Sequence, residues 1–359
     1  MICPCGGQTA TWVNWPNVPL VNALPQLGGE APTYDLDLRR CLACGTIQVA
    51  NPPPAAVLFP PDYPYQSGPA FAPHAAQLAR QLAMIGGRML DVGSNDGTLV
   101  KAARDMGIHA VGLDASRPEA EIHGFFPHAT RDWPGESWRL ITALNVFAHI
   151  PDPLDFAAEA YRLLERGGIF VVEVSDLARV LAGARLDVLY HEHIWTWGRT
   201  GIVETLERVG FDIVTIDGLP AQGGAMRVWA RKMGGQARYV VKDAPWHRVA
   251  LFEEALAKWN LRISAIQHML SDGARWVGYG AAAKGSMFAY HAKLGPAHLG
   301  YVVDETPGKQ GRLTPYGVPI VPPERLAEDP PEGVLILAWN YATQIREKLR
   351  AFAGKVAVV

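Results

Sequence analysis

The densest run of titratable side chains in this 359-residue sequence is Tyr190-His191-Glu192-His193. A phenol, a carboxylate and two imidazoles can together supply a general base, a group that orients it, and a donor for a developing oxyanion. Trp195 and Trp197 follow closely and could dry such a site. Two histidines one residue apart can also hold a metal, but no third ligand is evident, and a polar surface turn is the plain alternative. His149 stands apart, in the run Asn145-Val-Phe-Ala-His149. It could act as a base, touch a substrate, or simply hydrogen-bond within a loop.

A second stretch, Leu90-Asp91-Val-Gly93-Ser94-Asn95-Asp96-Gly97-Thr-Leu99, follows an apolar run and precedes a helical pattern. In a doubly wound sheet, ligands bind at the carboxyl ends of the strands, where glycine lets the backbone approach them. The loop lacks the G-x-G-x-x-G spacing that accommodates a pyrophosphate. It also places Asp91 and Asp96 beside the crevice, which repels phosphates and suits a cationic methionyl sulfonium with its ammonium group. Asp114 ends the next strand, about twenty residues on, where a carboxylate can accept two ribose hydroxyls. Asn145 ends the fourth strand, in the loop that faces the reacting methyl. These residues point to S-adenosylmethionine. A β–α turn with a capping Asp is the ordinary alternative, and a nicotinamide-dependent redox site is the chemical one.

All four cysteines, Cys3, Cys5, Cys41 and Cys44, fall near the start of the chain. Cys41-Leu-Ala-Cys44-Gly45 has the two-residue gap of a zinc knuckle, and the glycine permits the turn beneath the metal. Cys3-Pro4-Cys5 is one residue tighter. Two close pairs suggest one structural zinc site, with four reduced thiols as the alternative. Further on, Gln222-Gly223-Gly224-Ala225-Met226-Arg227 offers close backbone approach at Gly224 and a guanidinium for an anionic group. Gly278-Tyr-Gly280-Ala-Ala-Ala-Lys284-Gly285 reads as a strand, a glycine loop and a helix start with a lysine suited to phosphate or carboxylate.

These groups need a scaffold, and the composition allows one. About half the residues are apolar (49%) and the net charge is −2, as expected of packed domains rather than disorder. No basic tract suggests a nucleic-acid partner, and no apolar run is long enough for a membrane span. The start lacks a basic segment followed by an apolar one, so a cytoplasmic enzyme is expected. Short apolar strands alternate with helical patterns: strands at Arg88–Val92, Ala110–Leu113, Leu140–Leu144 and Gly168–Val174, helices at Gly97–Met106 and Pro153–Leu164. That alternation predicts a doubly wound parallel α/β sheet. A long helix over His247–Leu270 opens a second α/β unit, with strands at Arg275–Tyr279, Gly300–Val303, Gly333–Ala338 and Lys355–Val359, and helices at Ala282–Lys293 and Ala342–Phe352. The expected division is a cysteine-bearing segment with a proline-rich linker over 1–72, a donor-binding domain over 73–240 and a smaller α/β domain over 241–359.

In this order, CLACG (Cys41–Gly45), YPYQS (Tyr63–Ser67), LDVGSNDGTL (Leu90–Leu99), NVFAHI (Asn145–Ile150), YHEH (Tyr190–His193), QGGAMRV (Gln222–Val228), GYGAAAKG (Gly278–Gly285), VVDETPGKQGRLTP (Val302–Pro315) and LAWN (Leu337–Asn340) cover nearly the whole chain. The sequence resembles the C-methyltransferases that act on nucleotide-linked 4-keto-deoxysugars. The resemblance implies a class I S-adenosylmethionine-dependent methyltransferase sheet, with an N-terminal zinc-binding domain and a C-terminal Rossmann-like domain. It implies that a base removes the proton next to the sugar ketone and that the enolate attacks the donor methyl. His193 is then the preferred base, and Glu192 orients it or binds the sugar. Tyr190, Tyr63 or Tyr65, and His149 contact the sugar or stabilise the enolate. Gly224, Arg227, Lys284 and Asn340 are the further substrate contacts, with Lys284 toward the nucleotide diphosphate. The C-x-C spacing of the first cysteine pair departs from the family's C-x-x-C. An O- or N-methyltransferase, a nucleotide-sugar or NAD-binding protein, and a zinc-knuckle interaction module are the competing readings. Neither the sugar nor the oligomeric state can be read from these residues.

Overall fold

The computed structural model describes residues 2–60, 63, 71–220, 223–234, 238–241 and 249–359. In chain order the first elements are β1 (Thr9–Pro19), β2 (Thr33–Cys41), β3 (Ile47–Val49), α1 (Ala55–Leu58), α2 (Ala72–Ala83), β4 (Arg88–Val92), α3 (Thr98–Asp105), β5 (His109–Asp114), β6 (Ile122–His123), β7 (Trp138–Leu144) and α4 (Pro153–Leu163). There follow β8 (Leu164–Ser175), α5 (Leu177–Ala182), β9 (Trp195–Thr196), α6 (Arg199–Val209), β10 (Phe211–Leu219), β11 (Ala225–Lys232) and α7 (Val249–Leu270). The last are β12 (Trp276–Tyr279), α8 (Ala283–His291), β13 (Val302–Val303), β14 (Ile320–Val321), α9 (Arg325–Glu328), β15 (Gly333–Ile336), α10 (Ala342–Lys348) and β16 (Lys355–Val358).

The chain groups into two compact units. One comprises Met1–Trp12, Leu38–Arg179 and Glu192–Arg248, the other Val13–Asp37, Val180–His191 and Val249–Val359. This differs from three consecutive segments: parts of the cysteine-bearing segment and of the central segment group with the C-terminal residues. The Tyr190–His193 run is divided by it, with Tyr190 and His191 in the second unit and Glu192 and His193 in the first.

The first unit holds a seven-stranded sheet in the order β10-β11-β8-β7-β4-β5-β6. Six strands point the same way, and β11 runs antiparallel to its neighbours β10 and β8. Order reverses between β4 and β7, which is where a doubly wound sheet opens its ligand crevice. Strands β4, β7 and β8 are apolar on both sides because helices cover both faces. On one face Ala75, Leu78 and Leu82 of α2 and Leu99, Val100 and Ala103 of α3 pack on Met89, Leu140 and Val171. On the other, the rings of Phe147, Phe156, Phe170 and Phe211 meet at centroid separations of 5.6–6.4 Å along a chain of contacts. Helix α4 starts where Asp152 Oδ1 accepts the amides of Leu154 and Asp155, with Pro153 at the first helical position.

A four-stranded sheet, in the order β1-β2-β3-β9, occupies the segment expected to be cysteines and loop. Its signal is the alternation in β2, where Leu36 and Leu38 are buried and the residues between them are more open. The second unit contains a five-stranded parallel sheet in the order β14-β13-β12-β15-β16, as its strand–helix alternation predicts. Its core includes Val277, Val303, Val334, Ile336, Ile345 and Leu349. Among the described residues no helix is long and apolar enough to cross a membrane.

Candidate active site

The loop after β4 is held by backbone geometry that only a few residues tolerate. Gly93 has φ 72°, and its amide donates to Leu113 O at 2.7 Å. A Cβ at Gly93 would lie 2.2 Å from Val146 Cγ2, so glycine is required both by conformation and by the close approach of the loop after β7. Asn95 also takes a positive φ (50°), and its amide donates to Asp114 Oδ2 at 2.8 Å. The other oxygen of Asp114 accepts the amide and hydroxyl of Ser116, both at 2.8 Å. Ser94 is buried, and its side chain packs against Gly112. Asp96 is exposed and accepts the amide and hydroxyl of Thr98 at 3.2 and 2.6 Å, at the start of α3. Around Gly97 (φ 74°) the space is open.

Asp91, on the last turn of β4 toward this loop, is buried, and the Thr142 hydroxyl donates to its Oδ1 at 2.6 Å. Burial pushes its carboxyl up to about 7; the Thr142 hydrogen bond opposes this, and the charges of Asp114 and Glu173 add to it. No cationic side chain among the described residues pairs with it, so the crevice carries a buried carboxylate suited to a cation.

The loop from Asn145 to Ile150 joins the first loop to a cluster of rings. Asn145 has φ 56°, and its amide donates to Glu173 O at 2.8 Å. His149 Nδ1 lies 2.5 Å from Glu192 O. A carbonyl only accepts, so Nδ1 carries the proton and Nε2 presents a lone pair. Burial lowers the pKa of His149, against its hydrogen bonds to the backbone of Glu192 and Asn145, so the ring stays neutral at physiological pH. Its centroid is 5.1 Å from that of His193 and 5.6 Å from that of Phe59. Tyr63 Oη donates to Glu192 Oε2 at 2.6 Å. Trp195 fixes the loop from the other side, its amide donating to Ala148 O at 2.9 Å and its Nε1 to Ile150 O at 2.8 Å. Thus Tyr63, His149, Glu192 and His193 come together in the first unit, and Val146 ties their loop to Gly93. The sequence reading did not include Thr142, Val146 or Phe59. Strand alternation from Leu140 could have placed Thr142 on the face of Asp91. Tyr65 lies outside the described residues, as does Gln222.

Arg227 lies elsewhere in the chemistry. It is 2% exposed and forms a buried ion pair with Glu173, directly opposite it on β8, while its Nη1 donates to Gln81 Oε1 at 2.7 Å. The guanidinium expected to meet an anionic ligand is engaged within the sheet. Gly224 has φ 122°, and a Cβ there would fall 2.7 Å from Arg179 Cδ. In the second unit, Tyr190 and His191 are buried, and His191 Nε2 lies 3.2 Å from Tyr34 O. Lys284 is buried there too; burial lowers it to about 8, against the charge of Asp187 and with that of Arg185. The Trp339 ring has Arg185 Cζ at 4.2 Å and Lys284 Nζ at 5.0 Å from its centroid, and its Nε1 donates to Asp187. Asn340, half-buried, is the next residue.

The four cysteine sulfurs lie within 4.8 Å of one another, with Cys3–Cys44 at 3.8 Å and Cys5–Cys41 at 3.6 Å. Zinc–thiolate bonds of about 2.3 Å at tetrahedral angles require sulfurs roughly 3.8 Å apart. The donor set therefore fits that ion, and the C-x-C pair reaches the common centre through the turn at Gly6 (φ 96°).

Comparison with known proteins agrees with this geometry. Residues 70–216 match the family model of a methyltransferase domain, and residues 220–358 that of a C-methyltransferase C-terminal domain. The chain is 28% identical over 295 residues to C-methyltransferase NovU of Streptomyces niveus, covering 74% of this chain and 70% of that protein. It is 27% identical over 123 residues to a ubiquinone biosynthesis O-methyltransferase of Roseobacter denitrificans, covering 31% of this chain and 49% of that one. A solved structure of a SAM-dependent methyltransferase from Archaeoglobus fulgidus aligns with TM-score 0.39 and 14% identity, over 45% of this chain and 93% of that one. The protein is an S-adenosylmethionine-dependent methyltransferase. The C-terminal family model and the NovU relative are both named for C-methyl transfer.

Replacing Arg227 by Met leaves the buried Glu173 without its guanidinium and with the His74 ring as its remaining contact among the described side chains. The expected cost is about 3–5 kcal/mol of stability, read as a lower urea midpoint, whereas a role in ligand contact alone would leave the midpoint unchanged.

Proposed function

We propose that this enzyme methylates the carbon next to the ketone of a nucleotide-linked 4-keto-deoxysugar, through an enolate. The observation that carries the reading is the grouping of Tyr63, Glu192 and His193 with His149, whose loop meets Gly93 through Val146. C-methylation needs a base at an acidic carbon and electrophilic help for the oxygen that gains charge. The family model at the C-terminus and the name of the NovU relative support carbon as the acceptor atom.

In this reading Asp91 holds the ammonium of S-adenosylmethionine and Asp114 its ribose. Gly93, Ser94, Asn95, Asp96, Gly97 and Asn145 shape the pocket around it. The donor supplies an electrophilic methyl group. His193 accepts the proton from the substrate carbon, and Glu192, held by Tyr63, orients the acceptor. The tyrosine hydroxyls and His149 meet the developing oxyanion or the sugar. Within the C-terminal unit, Lys284, beside Trp339 and Asn340, is the group for a phosphate. Cys3, Cys5, Cys41 and Cys44 would hold a structural zinc ion, which leaves no open position for substrate.

Three outcomes are expected. With donor and a panel of 4-keto nucleotide sugars in deuterated water, the enzyme should exchange the proton next to the ketone and form a C-methylated product. His193→Asn should abolish the exchange and keep donor binding. Full exchange in that variant, with loss in His149→Asn, would move the base to His149, whose Nε2 lone pair is already set by its hydrogen bond to Glu192 O.

For the donor site, Asp91 must be ionised to hold an ammonium, and its carboxyl sits at about 7. Affinity for S-adenosylhomocysteine should therefore be full above that pH and fall about tenfold from pH 8 to pH 6, as calorimetry would read. A flat profile would remove Asp91 from that role. For the metal, Cys41→Ser should release zinc on elemental analysis and lower the melting temperature; an unchanged, metal-free protein would refute the site.

A further inference from the structure

His74 lies on α2, which packs on the same sheet face as Asp91. That face can be traced through the register. Asp91 pairs with Thr142, and Thr142 with Val171; the Thr142–Asp91 hydrogen bond shows that their side chains share a side. Glu173, two residues beyond Val171, returns to that side at the carboxyl end of β8, and its charge acts on Asp91. His74 Nε2 lies 2.7 Å from Glu173 Oε2, while Glu173 Oε1 is taken by Arg227. The carboxylate of Glu173 accepts, so in the neutral ring Nε2 carries the proton and Nδ1 carries the lone pair. The ring is half-buried, with 18% of its side chain exposed; with Nε2 donating to Glu173, Arg227 Nη2 at 3.4 Å from the same nitrogen is a donor beside a donor and makes no hydrogen bond to it.

Two negative groups and one cation therefore stand at this end of the face. Arg227 balances Glu173, and Asp91 is left over. An ammonium brings three donors, and one carboxylate already bonded to Thr142 does not use them all. We infer that His74 is a further donor-binding residue, whose Nδ1 accepts a hydrogen bond from the α-ammonium of the methyl donor, with the ring oriented by Glu173. This rests on the reading that the donor occupies the crevice at Asp91. The Glu173–Arg227 pair thereby positions a ligand contact as well as joining β8 to β11.

The test compares two ligands on the full-length protein. S-adenosylhomocysteine carries the amino-acid end, and 5′-methylthioadenosine lacks it. In His74→Ala, calorimetry should show S-adenosylhomocysteine weakened about tenfold or more, as for a hydrogen bond to a charged group, with methylthioadenosine affinity unchanged. Should the alanine variant fail to fold, His74→Gln serves. Its amide N–H can replace the bond to Glu173, which turns its carbonyl away from the ideal acceptor position, and the same selective loss is expected. Unchanged affinity for S-adenosylhomocysteine would overturn the inference. So would equal weakening of both ligands, which marks a purely structural histidine. If the wild type binds neither ligand, the donor-site reading beneath the inference has failed instead.

Discussion

The structure is organised around one buried carboxylate without a cation among the described residues. Asp91 sits at the carboxyl end of the central strand, and moving its carboxyl from 3.8 to about 7 corresponds to roughly 4 kcal/mol against the ionised form. Nothing in the protein's own packing recovers that cost: the Thr142 hydroxyl gives one hydrogen bond, and Asp114 and Glu173 add charge of the same sign. A fold selected for stability alone would place an apolar residue here, as it does at Met89 and Leu90. Strongly shifted buried groups of this kind cluster at functional sites.

Around that point, each strand contributes one polar residue just past its apolar stretch. Thr142 on β7, Glu173 on β8 and Arg227 on β11 lie on one side of the sheet, beyond Leu140, Ile169, Val171 and Trp229. Alternation within strands fixes the side, and the parallel register fixes the depth. The loops then follow. Gly93 must be glycine because Val146 occupies the space of its Cβ. Through the same loop, Asn145 and His149 are held to Glu173 and Glu192 by backbone carbonyls. The loop position of Asn145 thus rests on a main-chain hydrogen bond, and that of His149 on a bond from its ring to a main-chain carbonyl.

Much of this was legible in the sequence, and the rest was not for definite reasons. The apolar runs marked β4, β7 and β8 because both faces of a parallel sheet are covered. The loop glycines and Asp91 stood out because their types suit one geometry and one charge. The four cysteines announced a common centre, which their sulfurs form. Pairings across long separations left no such mark. Tyr63 and Glu192 are 129 residues apart, and only the folded sheet brings them to 2.6 Å. Arg227 read as a ligand contact because an arginine after a glycine pair is free until the register sets Glu173 opposite it. A lone glutamate in the apolar run Ile169–Val174 was the available sign of a buried partner. The short β6, β9 and β14 strands offer too few residues for any period to show.

The same backbone plan occurs in the second unit with different charges at the strand end. Gly280 (φ 95°) donates to Val303 O at 2.7 Å, as Gly93 does to Leu113 O, and Asp304 ends the following strand as Asp114 does. The strand order 3-2-1-4-5 is also repeated. Yet Asp304 accepts the amides of Ala281 and Thr306 at 2.8 and 2.9 Å and has Lys309 Nζ at 3.5 Å. The position equivalent to Asp91 is Gly278, which has no charge at all. Lys284 is buried at the start of α8, where the charge of Asp187 acts on it. Two loops of one shape therefore differ in what stands at the strand end, a buried carboxylate at Asp91 in one and the uncharged Gly278 in the other.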